Sequence, residues 1–412
     1  MAFFSRFFAP QERAPLPTLE EILQSRGIPA DLPGLAPHAE EFQHLNAGER
    51  NRWGDAIQAL QSKGEPLPPV WLDAQYDLFP RLVPSWAAER DGTCARPHFE
   101  GLSLAVQTAG QLMPEPWLTL WDVTWEDVVD RAMDQLRERS QGKPMVRLPS
   151  GIYRGAYDDG QAASRMLRPE VWAGLFPGQN TFIAVPAEDE FFVAPQVLLP
   201  QMVEAVSKVL ASTESRLMGT IFQEVGGKLL PANLQDPHPI AQPQRELRQS
   251  DQAEAYRAQE AHLPAEQGVA AAPGLIRVQQ GRSVSYTTWQ EGRPVFLPDT
   301  DLIGFLSADG RPLGIYFRQT LPRIPELRGT LVDIWGPRRI RFEGFPTAAQ
   351  LDRLERFATP EQMAELFKLP SPGAAKPRIS PQATERVGRP LQGTSPVPAH
   401  LRGISLGVQD ED

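Results

Sequence analysis

The sequence predicts an α+β protein: a mixed α+β domain joined by an extended linker to a small antiparallel β domain, with a disordered C-terminal tail. Three observations lead there. Helical and strand-like periodicities alternate between residues 15 and 230. Short strands separated by glycine turns dominate residues 275–343. Proline-rich polar sequence fills 229–244 and everything beyond 370. A chain of 412 residues exceeds one ordinary core, so two ordered units with connecting segments are expected.

Composition narrows the function. The net charge is −10, from 41 basic and 51 acidic residues. A nucleic-acid partner is not expected, because phosphate neutralisation calls for a basic surplus or stripe, and the runs at 311–328 and 336–341 are short and diluted. Six lysines leave 35 arginines, a bias that reads as genomic base composition. Cys94 is the only cysteine, which excludes a disulfide framework and a multi-cysteine zinc site. No stretch approaches the ~18 apolar residues that span a bilayer, and the opening apolar run is too short for a signal-peptide core. A cytoplasmic protein is expected. Within that run Phe3, Phe4, Phe7 and Phe8 share one helical face, the spacing of a weak peripheral membrane anchor; otherwise residues 1–14 form a mobile N-terminus or dock on the same chain.

Residues 15–64 read as a helical segment. Thr18 and Glu21 form a capping box before Leu19, Ile22 and Leu23, and Asn46 and Glu49 form another before Trp53, Ile57 and Leu60. The domain at 65–230 begins rich in proline and tryptophan, and its tryptophans read as core with tied N–H groups. Thr124 to Arg139 carries the clearest helical stripe: Val128, Val129, Ala132, Met133 and Leu136. A strand at 181–185, an acidic turn and a strand at 191–193 read as a hairpin, followed by a helix containing Val203, Val206, Val209 and Leu210.

Over 124–230 three features stand in order: the helix from Thr124 to Leu136, the run Tyr157-Asp158-Asp159-Gly160-Gln161-Ala162-Ala163-Ser164-Arg165-Met166-Leu167, and the hairpin from Ile183 through Asp189 to Val193. In these features the chain resembles the YtpQ-like family of bacterial proteins, a family of unknown function. The resemblance implies a mixed α+β domain and supplies no catalytic residues. The N-terminal helices and everything after 230 have no counterpart in it.

Residues 231–265 read as linker and polar helix. The prolines keep 229–244 from being helical, and 245–260 form a surface connector with few apolar members. The small β domain with its helical coda spans 266–370, with strands at 275–278, 283–289, 302–306, 313–317, 330–335 and 340–342. Thr359, Pro360 and Gln362 start the final helix. Residues 371–412 bury too little apolar surface to offset ordering and are expected to be disordered.

Chemistry is sparse. The six histidines show no ligand spacing, so no metal site and no cofactor is assigned. Asp158 and Asp159, with the turn Glu188-Asp189-Glu190, are the carboxylates that could hold a divalent ion, although acidic turns and caps explain them better. Cys94 and His98 are close in sequence, but Asp91-Gly92-Thr93-Cys94 reads as an exposed loop with an incidental thiol. The leading expectation is a non-catalytic binding or adaptor protein with a protein partner, its segments 1–14, 229–262 and 371–412 suited to contacts. The first alternative is a divalent-metal-dependent hydrolase using Asp158, Asp159 and Asp189. The second is peripheral membrane association through Phe3, Phe4, Phe7 and Phe8.

Overall fold

A computed structural model describes residues 16–142, 145–213, 215–234, 238–277 and 283–367. The mobile N-terminus and disordered tail expected at 1–14 and 371–412 lie outside the described residues. Among the described residues the architecture is α+β, in two compact units: one within 1–83, 91–98 and 103–143, the other within 84–90, 99–102 and 144–412.

The first unit is helical around a small sheet. Both expected capping boxes form, at Thr18 with Glu21 and at Asn46 with Glu49, starting the helices Leu19–Ser25 and Ala47–Lys63. Thr124 and Asp127 start Trp125–Ser140 in the same way. Ile22, Leu23, Trp53, Ile57, Leu60, Val128 and Ala132 share one core with Trp117 and Trp121. The prolines at 66–69 cannot donate main-chain hydrogen bonds, yet their carbonyls still need donors. Trp117 Nε1 donates to Pro66 O at 3.2 Å and Trp121 Nε1 to Pro69 O at 2.7 Å. His38 Nε2 lies 2.8 Å from Pro68 O. Trp117 and Trp121 are therefore core residues with tied N–H groups, whereas Trp71, Trp86 and Trp125 are half-buried. Four strands complete the unit: Phe79–Pro84, Leu102–Thr108 and Ala95–Phe99 in that order, with Gln111–Leu112 beside Leu102–Thr108.

The second unit opens with a six-stranded antiparallel sheet. Its order is Lys228–Pro231, Ile221–Val225, Thr181–Ala187, Glu190–Pro195, Tyr153–Gly155, Met145–Arg147. The central hairpin is the one the sequence predicts. Alternation puts Phe182, Ala184, Phe192 and Ala194 against the helix Leu199–Ser212, where Met202, Val203 and Val206 bury. The opposite face carries the 3-10 helix Ala162–Leu167, tied down by Ala163 N donating to Glu188 O at 3.0 Å.

From 269 onward two further sheets share a core of Trp289, Val295, Leu297, Phe305, Tyr316 and Phe342. They are mixed, not antiparallel as expected. Val269–Ala270 runs parallel to Val295–Pro298, and Ser283–Gln290 runs parallel to Leu302–Leu306. The cause is Val295–Pro298, a short apolar strand with a proline that periodicity does not reveal. It follows the turn at 291–293 but joins the other sheet, so the next strand returns beside Ser283–Gln290 in the same direction.

The expected linker is likewise part of the fold. The helix runs Ala241–Glu260, with Pro243 inside its first turn, where a missing N–H costs nothing. Gln244, Tyr256 and Gln259 are buried on it. Gln244 Nε2 donates to Ala232 O at 2.8 Å, beside the six-stranded sheet, and Tyr256 Oη donates to Arg338 O at 3.0 Å, next to the strand Arg339–Phe342 that pairs with Val295–Pro298. No helix among the described residues is long and apolar enough to cross a membrane.

Candidate functional site

The run Tyr157 to Leu167 lies on the face of the six-stranded sheet away from Leu199–Ser212. Gly155 begins it. A Cβ there would stand 2.7 Å from Tyr157 Cε2, so only glycine lets the phenol ring lie across the strand. Arg165 is fully buried and lies over that ring, its Cζ 4.1 Å from the centroid. Its guanidinium grips Asp159 with both arms, at 2.9 Å through Nη1 and 2.6 Å through Nη2, and also donates to Gln161 O. Asp159 Oδ1 accepts from Gln161 N at 3.1 Å. Three residues later Arg168 pairs with Glu170.

These contacts decide what the three predicted carboxylates can do. Asp159 is occupied by Arg165, a forked pair of the kind that neutralises a carboxylate. Asp158 is exposed and directly precedes it. Asp189 is exposed at the tip of the hairpin. The bond from Ala163 N to Glu188 O does bring that turn beside the 162–167 segment. The third acid of the turn, Glu190, is held by Arg154 at 2.7 and 2.6 Å. What meets here is a set of arginine–carboxylate pairs. Among the described residues no group of three histidine, cysteine or acidic side chains could hold a metal ion.

Tyr157 adds an unusual feature. Its hydroxyl is buried without a hydrogen-bond partner, and burial raises the phenol above its ordinary pKa, with the nearby Arg165 charge opposing. Arg168 Nη1 is also buried and unpartnered.

The thiol is not positioned for nucleophilic work. Cys94 is buried, contrary to the exposed loop expected at 91–94, because Cys94 N donates to Met113 O and Thr93 bridges Pro114. Burial, then a hydrogen bond with Glu115, pushes the thiol far above its usual pKa, so it stays protonated. His98 is shifted down by burial.

Two polar positions escaped the sequence reading. Asp251 accepts from Gly219 N with both oxygens, at 2.9 and 3.0 Å, and from Thr220 Oγ1 at 3.3 Å. Burial pushes this carboxyl up to about 7 against those hydrogen bonds. Arg339 is fully buried and donates to Gln259 Oε1, Ala271 O, Phe296 O and Tyr256 O. Alternation in Arg338-Arg339-Ile340-Arg341 gives no sign of which arginine turns inward.

No protein-family model, no curated protein and no solved structure matches this chain.

Proposed function

We propose that this is a non-catalytic binding protein that engages a protein partner through the hairpin Ile221–Val225 and Lys228–Pro231. The observation behind this reading is the placement of exposed aliphatic side chains. Val225 and Leu230 are 50% and 49% exposed. The register pairs Lys228 with Val225 and Leu230 with Gln223. Cross-strand partners share a face, so both aliphatic side chains stand on one side of the hairpin. Lys228 and Pro231 on the outer strand oppose strand addition by another chain. The contact therefore runs through side chains on that face, to an apolar patch on the partner. The neutralised carboxylates around Arg165 and the protonated Cys94 support binding over catalysis.

The test is affinity capture with the full chain and with Val225→Glu/Leu230→Glu, both checked by circular dichroism. Loss of the partner with the fold intact supports the reading. Equal recovery with both proteins contradicts it.

A further inference from the structure

The helical unit carries an open cleft of about 330 Å³ that neither the carboxylate pairs nor the hairpin uses. Leu45, Trp53 and Leu118 wall it with apolar surface, and Glu49, Arg52 and Asp122 stand at its rim. Asp122 holds a φ of 52° as the C-cap of Pro116–Trp121, a left-handed conformation that few residues other than glycine adopt.

The chain itself leads to this cleft. Arg50 is buried, and its guanidinium donates to Pro17 O at 2.6 Å and to Leu45 O at 2.9 Å. One side chain thus ties the point where the N-terminal residues join the unit to a residue of the cleft wall. From Pro17, Phe8 is within ~30 Å of extended chain. The volume is about twice the ~150 Å³ that admits a benzene ring in a protein interior, a size compatible with two phenyl rings. The charges also fit, since Arg6 stands between the two phenylalanine pairs and the rim presents two acids against one arginine.

We propose that the cleft receives the chain's own N-terminal segment, with two rings from Phe3, Phe4, Phe7 and Phe8 in the apolar interior and Arg6 against Glu49 and Asp122. This stands apart from the hairpin reading and survives its failure. It also gives the four phenylalanines a destination other than a lipid surface.

Trypsin cleavage after Arg6 tests it on the full-length chain, each rate divided into that of a free peptide of the same N-terminal sequence. Cleavage of an opening segment follows the fraction that is undocked, so protection of at least ~10-fold is expected. Thr119→Trp, filling the cleft from an exposed rim position, should abolish the protection, as should Leu118→Asp in its wall. If Leu118→Asp does not fold, Thr119→Trp decides alone. Cleavage at the free-peptide rate overturns the proposal, as does protection that Thr119→Trp leaves intact. Protection appearing only when anionic phospholipid vesicles are added also overturns it and assigns the phenylalanines to membranes.

Discussion

Arg339 Nε donates to Gln259 Oε1 at 2.8 Å, joining the strand Arg339–Phe342 to the helix Ala241–Glu260. The same guanidinium satisfies three main-chain carbonyls and lies over the Tyr256 ring, 4.9 Å from its centroid. Among the described residues it forms no ion pair. The hydrogen bonds of this buried cation all go to neutral groups, and every arm of the fork is used. Lysine lacks the planar fork that reaches four acceptors at once. Arg339→Lys should therefore destabilise the chain by about 3 kcal/mol, because a buried acceptor left unpaired costs ~1–3 kcal/mol. Urea unfolding followed by circular dichroism measures it, and a loss below about 1 kcal/mol would show that the network is not structural.

Around Arg165 two substitutions should separate. Tyr157→Phe removes a buried hydroxyl that has no partner, so stability should stay the same or rise by up to about 1 kcal/mol. Arg165→Met leaves Asp159 without its counter-charge and should cost about 3 kcal/mol or more. Thermal unfolding of both variants checks the order, and a costly Tyr157→Phe would mean that the hydroxyl is engaged after all.

Asp251 gives a pH dependence with a definite sign. Its carboxyl is raised from 3.8 to about 7 in the folded chain. Between those values the folded state holds the proton that the unfolded state has lost, so stability falls as pH rises through the window. The contribution is fully present below about pH 3.8 and gone above about 7. Asp251→Asn should remove this slope while keeping an acceptor for Gly219 N. Melting temperatures of both proteins across pH 4–8 test it, and parallel curves would show that Asp251 does not titrate in that range.

Native Cys94 should react with a thiol-specific disulfide reagent at least ~10²-fold more slowly than the same residue in urea, since only the thiolate is nucleophilic. Equal rates would contradict its burial.

Much of the fold is legible in local chemistry. The capping boxes at Thr18, Asn46 and Thr124 and the hairpin through 181–193 are written in neighbouring residues, and local rules read them. What stays hidden depends on partners distant in sequence. Arg50 and Arg339 look like surface charges in a chain biased toward arginine, but each is an internal tie with acceptors far along the chain, while Arg165 turns inward onto Asp159, six residues away. The polar helix resembles a connector because its buried face includes Gln244 and Gln259, residues that periodicity does not count as core, beside Tyr256 and two alanines. Among the site candidates, the adjacency of the 188–190 turn and the 157–167 run could be suspected from sequence. The neutralisation of Asp159 could not, since Arg165 is recognisable as its partner only when the 3-10 turn sets their geometry.

The binding role is tested most directly by a photo-cross-linker placed at position 230 of the full chain, compared with the same group at exposed Asp352. The account predicts one discrete cross-linked partner from position 230, competed away by the unmodified chain and not by Val225→Glu/Leu230→Glu. Adducts of equal pattern and yield from both positions would contradict it.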